Sequence, residues 1–203
     1  MNYMMLNGRK IDLTDEQVKE MKQSFGIDKI QLANVKVGET FKVEDYEFVV
    51  LEQSGDTAAA ILKNLLYEGK QFGTNNNYKN SNVDDICNEF GKKIAKIVGK
   101  NNLVEHTVDL TSDDGLKDYG SVKRTMSLLT CEQYRRYVSI LDKHKVGKWW
   151  WLATAYSTPT HDDAYWSKCV APRGSLICNR CDYCDGVRPF CIFDSSIFVS
   201  CGD

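Results

Sequence analysis

After Lys148 the chain becomes a succession of short apolar runs: KWWWLATAYS, YWSKCVA, GSLIC, VRPFCIF and SIFVS. Gly and Pro punctuate them. Runs of this length, rich in aromatic and β-branched residues and bounded by turn formers, read as strands. This part of the chain is therefore expected to be sheet. Successive side chains on a strand alternate faces, so Trp149 and Trp151 share one face and Trp150 takes the other. The rings read as core aromatic filling on a twisted sheet, with a ligand-stacking platform as the rarer alternative.

The first residues have a different texture. Asn7-Gly8 lies between MNYMML and RKIDL, the signature of a two-residue hairpin turn. Thr14 reads as a helix N-cap with Gln17 completing a capping box. Val18, Met21 and Phe25 follow at helical spacing, and Gly26 stops the helix. Residues 1–30 thus form an expected hairpin–helix (ββα) appendage, and 35–203 the main domain.

In VKVGETFKVEDYEFVVLEQSGDTAAAIL three strands are expected, broken at Gly38-Glu39 and at Ser54-Gly55-Asp56. QFGTNNNYKNSN is a polar loop. Ser81 caps a helix with Asp84 at its third position, and Val83, Ile86, Phe90, Ile94 and Ile97 form one apolar stripe on it. LVEHTVDL is expected as a strand, TSDDGLKDYG as a long loop and TMSLL as a further strand. Thr130 and Gln133 box the start of a short helix, CEQYRRYVSIL. The class is α+β, strand-rich with two or three helices in the main domain.

With 203 residues, 42% of them hydrophobic, the chain can bury a real core. Its net charge of −2 supplies no basic field, so attraction to a phosphate backbone is not its main source of affinity, and duplex nucleic acid is not the expected ligand. No window approaches the roughly 18 consecutive apolar residues of a membrane span, and the N-terminus does not read as a signal peptide. A cytosolic protein is expected, in a compartment that keeps thiols reduced.

CNRCDYCDGVRPFC holds four of the eight cysteines, three of them spaced C-x2-C-x2-C in what reads as a polar loop. The spacing admits a zinc knuckle, a reactive-thiol site, an iron–sulfur cluster or disulfides. In a reducing compartment zinc is the favoured reading, structural rather than catalytic. Cys178, Cys181 and Cys184 would be ligands, Cys191 the fourth on the returning strand and Cys169 the reserve. His161, Asp162 and Asp163 form a polar cluster after Pro159, able to bind a divalent ion or act as an acid–base pair, though a plain loop tip is commoner. No P-loop, GxGxxG, HExxH, Gly-x-Ser-x-Gly or ordered Ser-His-Asp set is present. A non-enzymatic role is therefore expected.

Taken together, WWWLATAYSTP, GSL and GVRPFCIFDSSIFVS, with VKVGETF, SGDTAAAIL, DLTSDDGLKDYG and SLLT upstream, resemble a module recurring in phages and mobile elements of Gram-positive bacteria. The likeness covers roughly residues 35–200. The module is a domain of unknown function, similar to C-type-lectin-like and formylglycine-generating-enzyme folds. The resemblance implies that Trp149, Trp150 and Gly186 to Pro189 are scaffold and that the loop between them is exposed. The cysteines of that loop depart from its usual Asp-, Asn- and Tyr-rich composition. A small phage-type protein without catalytic motifs also resembles anti-CRISPR proteins. That likeness implies a host defence effector, a Cas9-type nuclease, as partner, with target DNA kept from loading. Asp113 and Asp114 in the first acidic loop, and His161, Asp162 and Asp163 in the second, are the residues expected to meet basic groups there. The alternatives are a lectin-like display module binding through residues 156–185, and a thiol-dependent oxidase.

Overall fold

A computed structural model describes residues 2–6, 9–25 and 29–201. Strand β1 (Asn2–Leu6) pairs antiparallel with β2 (Arg9–Leu13), from Asn2 opposite Leu13 to Leu6 opposite Arg9. Helix α1 (Asp15–Phe25) follows. The expected box is present at its start: Gln17 N donates to Thr14 Oγ1 at 3.2 Å and Thr14 N donates to Gln17 Oε1 at 3.0 Å. The Asn7-Gly8 turn, the Phe25 side chain and the Gly26 stop lie outside the described residues.

The next elements are β3 (Lys29–Gln31), β4 (Thr40–Val43), β5 (Tyr46–Ser54), β6 (Thr57–Leu62) and β7 (Tyr67–Gln71). Three strands do lie between Val35 and Leu62, and the break at Ser54-Gly55-Asp56 falls where expected, but the first two strands do not. Val35 to Val37 is not a strand. Its neighbours Leu32–Asn34 form a 3-10 turn, and Gln53 Nε2 donates to the carbonyls of Leu32 and Val35 at 2.8 and 3.0 Å, replacing a strand partner. Instead the run from Thr40 to Ser54 folds back at Glu44, which takes φ 51 without being glycine. The sequence Glu44-Asp45 carries no glycine to announce that turn.

Helix α2 (Asn82–Val98) starts as expected, with Ser81 Oγ accepting from Asp84 N at 3.2 Å. LVEHTVDL is split into β8 (Leu103–Val104) and β9 (His106–Asp109), then come β10 (Ser121–Arg124) and β11 (Met126–Ser127). Helix α3 (Cys131–Leu141) carries the full Thr130–Gln133 capping box. The strand-rich end is β12 (Trp150–Ala155), β13 (Trp166–Val170), β14 (Leu176–Arg180), β15 (Cys184–Val187), β16 (Phe190–Asp194) and β17 (Phe198–Cys201).

One sheet runs β11-β16-β6-β5-β4-β17-β3, with β8 also on β16, and is antiparallel throughout. A second runs β14-β13-β12-β15-β7 and is antiparallel except for the single parallel pair Trp150–Gly186. The middle of the first sheet is buried on both faces, which alternation along β5 makes plain. Phe48 and Val50 join one cluster with Val83, Phe90 and Ile94 of α2, while Val49 and Leu51 join another with Tyr134, Tyr137 and Leu141 of α3. Adjacent tryptophans of β12 divide the same way: Trp151 lies in the α2 cluster and Trp150 in the α3 cluster. Truncating a ring buried this completely costs about 3–5 kcal/mol. The architecture is α+β, strand-rich, with a curled antiparallel sheet and three helices among the described residues.

Gly186 is fixed by crowding. A Cβ there would lie 2.5 Å from a Leu65 methyl and 2.8 Å from the Trp149 carbonyl, to which Gly186 N itself donates. Only glycine lets β15 approach β12 this closely.

Candidate functional site

Two loops far apart in sequence meet at the end of β12 and β13. The first, after β9, is tied internally: Ser112 N donates to Leu116 O, and Gly115 at φ 93 makes the turn. The second runs from Tyr156 to Tyr165. Asp114 joins them. One of its oxygens accepts from Ser112 Oγ at 2.5 Å, and the other meets Ser157 Oγ at 2.6 Å and His161 Nδ1 at 2.9 Å. These hydroxyl bonds, Ser112 first, hold its carboxyl well below the usual carboxylate range. Asp118 accepts from Thr158 and Thr160 hydroxyls, both at 2.5 Å, and is lowered for the same reason.

Behind the loops sits a hub that sequence reasoning missed. Asn76, fully buried, donates through Nδ2 to the carbonyls of Ser157 and Trp166, both at 3.0 Å, and accepts from Tyr119 Oη at 2.6 Å. Its backbone N donates to Ala164 O. A buried amide so fully used fixes the loop backbone. Within NNN of a polar loop, nothing local distinguishes it.

Asp113, Asp114, Tyr156, Ser157, His161 and Asp163 line a shallow concavity of about 380 Å³. Of the five residues expected to contact a partner, four therefore share one surface. Asp162, at φ 55 in the turn after Pro159–His161, stands exposed outside that lining. The acids are nevertheless engaged within the chain. Asp113 is salt-bridged to Arg135 at 2.9 Å and Lys168 at 3.0 Å; burial would raise its pKa, and the two cations outweigh that and lower it. Asp163 accepts from the backbone N of Tyr165 and Trp166. Ser157 and His161 both turn toward the same Asp114 oxygen, so the hydroxyl has a carboxylate beside it and no imidazole.

Aromatic rings are what the face leaves open. Trp166 lies opposite Arg180 across β13 and β14, so the two side chains share a face. Lys168, on that same face, holds its ammonium 5.8 Å from the Tyr156 ring centre, and Tyr156 N donates to Trp166 O. Arg180, Trp166 and Tyr156 thus form a row across adjacent strands. Trp166 is 40% exposed and Tyr156 47%.

The four cysteines of the segment do not share one site, although Cys178 lies within electrostatic reach of Cys169. Cys178 lies in β14, as the GSLIC run implied, opposite Lys168, whereas Cys184, expected in a polar loop, opens β15 opposite Gln71. Cys181, in the turn between them, is buried, its N donating to Tyr165 O and its carbonyl accepting from Phe72 N. Cys191 lies mid-β16 between Met126 and Ala60, fully buried near Cys87 of α2. Cys169 packs its thiol against buried Asp185, which also accepts from Asn179 Nδ2 at 2.7 Å. Burial pushes the Cys181 thiol up to about 12, and those of Cys169 and Cys191 well above their ordinary value. Among the described residues, no three His, Cys, Asp or Glu side chains come together to hold a metal ion.

Neither isolated histidine joins these groups. His106 Nε2 lies 2.9 Å from Ser127 Oγ, and His144 Nε2 2.9 Å from Gly38 O. No helix among the described residues is long and apolar enough to cross a membrane.

Fold and face together define an α+β chain with a loop-built, aromatic-rimmed surface. Compared with known proteins, no family model matches it, and no curated protein or solved structure shows significant similarity.

Proposed function

We propose that this chain is a binding protein and that its partner, another protein, docks on the row of Tyr156, Trp166 and Arg180. The exposed row carries the reading. Tyr, Trp and Arg dominate binding energy at protein interfaces, because rigid rings give large contact area at small entropy cost. Here the backbone beneath them is fixed by Asn76 and by the engaged acids, which is the preorganisation that affinity requires. The acids position the face rather than supply free charge to a basic partner. The fold of such a protein would be C-type-lectin-like, a reading supported by long loops carried on the end of a curled sheet.

A Cas9-type defence nuclease is the first partner to test, on the strength of the phage-module resemblance. A fixed amount of effector is titrated with the protein. Cleavage is expected to cease near equimolar ratio, and Trp166→Ala with Tyr156→Ala to weaken that effect at least tenfold. No inhibition at excess protein removes this partner. A saccharide is the second reading, favoured by the Tyr156 ring lining one concavity with a hydroxyl and carboxylates. A glycan array bound by wild type, and not by Trp166→Ala, would establish it.

A further inference from the structure

Four strands end the two large sheets, and they are not alike. The first sheet ends in β11, two residues long, and in β3, three residues long and opening on Lys29. The second ends in β7 and β14. In β7, YEGKQ, Glu68 and Lys70 flank Gly69, and the pairing with β15 slips in register between Asp185 and Val187. Short length, charge and irregular pairing are features that keep a strand edge from pairing with another chain. β14 is built otherwise. It reads LICNR, with one charge at its end and no Pro, and pairs with β13 in unbroken register from Arg180–Trp166 to Leu176–Val170.

The flanking bonds fix which way its backbone points. Ala171 N donates to Ser175 O at 2.9 Å and Cys181 N to Tyr165 O at 2.8 Å, one at each end of the β13–β14 ladder. Trp166 O instead accepts from Tyr156 N, on the β12 side. Backbone groups alternate sides along a strand. Ile177 and Asn179 therefore bond to β13, and Leu176, Cys178 and Arg180 turn theirs outward. Among the described residues no strand pairs with that outer edge; only Arg180 O is engaged there, by Tyr183 N in the following turn. The edge is also half-buried from Leu176 to Asn179 and flanked by exposed rings, Trp166 opposite Arg180 and Tyr183 in the next turn.

We infer that β14 is a homodimer edge: a second copy of this chain lays its own β14 antiparallel against it and joins the two five-stranded sheets. The strand is self-complementary for this pairing. Its three outward residues are symmetric about Cys178, so a twofold axis there sets Cys178 against its equivalent and Leu176 against the second copy's Arg180. The single charge of each strand thus faces an apolar side chain and not a like charge, the arrangement that would be penalised. An extended segment of a different protein would meet the same donors, but this symmetry favours the copy. Antiparallel pairing puts the twofold axis normal to the sheet, so both rows of Tyr156, Trp166 and Arg180 lie on one face. A five-residue edge with its flanking rings is a small contact, so association depends on concentration.

The test uses the full chain in reducing buffer, so that no thiol crosslinks. Sedimentation equilibrium over a concentration series reads the oligomer, and amide exchange at low and high concentration reads the edge. A monomer–dimer equilibrium is expected. On dimerisation the Leu176, Cys178 and Arg180 amides should slow by about tenfold or more, while Ile177 and Asn179, already bonded to β13, change less. Cys178→Pro probes the same bonds. Pro is tolerated on an edge where its missing N–H faces outward, and in a twofold dimer it removes both bonds of the central pair. The variant should keep its near-UV circular dichroism and associate about tenfold more weakly, or less. If it does not fold, the wild-type exchange pattern decides alone. A chain monomeric at every concentration leaves the edge to a different protein and overturns the inference. So does a dimer in which the three outward amides exchange as fast as in the monomer, and so does a folded Cys178→Pro variant that associates like wild type.

Discussion

The acidic loops and the cysteine segment are both clusters of reactive side chains in the sequence, and folding treats them oppositely. Asp113, Asp114, His161 and Asp163 start nearly fifty positions apart and end on one concavity. Cys178, Cys181, Cys184 and Cys191 start within one short segment and end opposite Lys168, beneath Tyr165, opposite Gln71 and against Cys87. Proximity in sequence places groups on the same turn or the same strand only when the intervening backbone stays local. Between β14 and β15 the chain crosses the sheet, and the spacing loses its meaning there.

The comparison breaks most sharply at the buried thiol. Cys191→Asp should prevent folding, because it places a carboxylate without a partner between Met126 and Ala60; loss of near-UV circular dichroism in the purified variant is the check. Cys184→Ser, at the exposed end of the same segment, should stay within about 0.5 kcal/mol of wild type in denaturant melts. If both variants unfold alike, the segment acts as one unit, as a shared metal would require.

Next in size is the loop staple. Asp114→Ala removes three hydrogen bonds and leaves Ser157 and His161 without their acceptor. A loss of about 1–3 kcal/mol is expected, concentrated in faster amide exchange of residues 112–118 and 156–163. Uniform exchange change across the chain would contradict the local role.

Acid should act on the same loops. Asp113, Asp114 and Asp118 all have lowered folded pKa values. The stability they contribute is complete above the ordinary carboxylate range and is lost as pH falls through their folded values. His106 adds to acid sensitivity: burial lowers it to about 4, so between about 6.5 and 4 the unfolded chain takes up a proton that the folded chain does not. Melts of His106→Gln should lose the slope in that upper window and keep the steeper fall below it.

The smallest effect expected is that of a chelator. With the thiols dispersed as described, it should leave the melting temperature unchanged. A stoichiometric zinc content, together with a lower melting temperature on chelation, would show instead that the cysteines gather around an ion.

How much of this was legible follows from range. The caps at Thr14, Ser81 and Thr130 were readable because each needs only side chains three residues apart. The opposite faces of Trp150 and Trp151 were readable because strand alternation is local. The turn at Glu44 was not, since its φ of 51 lacks a glycine signal. Nor was the loss of Val35–Val37 from the sheet, which depends on Gln53 eighteen positions away. Asn76 is the extreme case, joining segments 81 and 90 positions apart in the chain. The acids could be singled out by type, but that they brace the loops from within comes only from their partners.

Recognition is assigned to exposed rings over a braced backbone. The direct measurement is binding of Trp166→Ala, side by side with its melting temperature, against a partner bound by wild type. Because the ring is 40% exposed, its truncation should cost about 1–3 kcal/mol of stability and leave the chain folded, while affinity falls at least tenfold, as for an interface hot spot. Unchanged affinity in a folded variant would contradict the account.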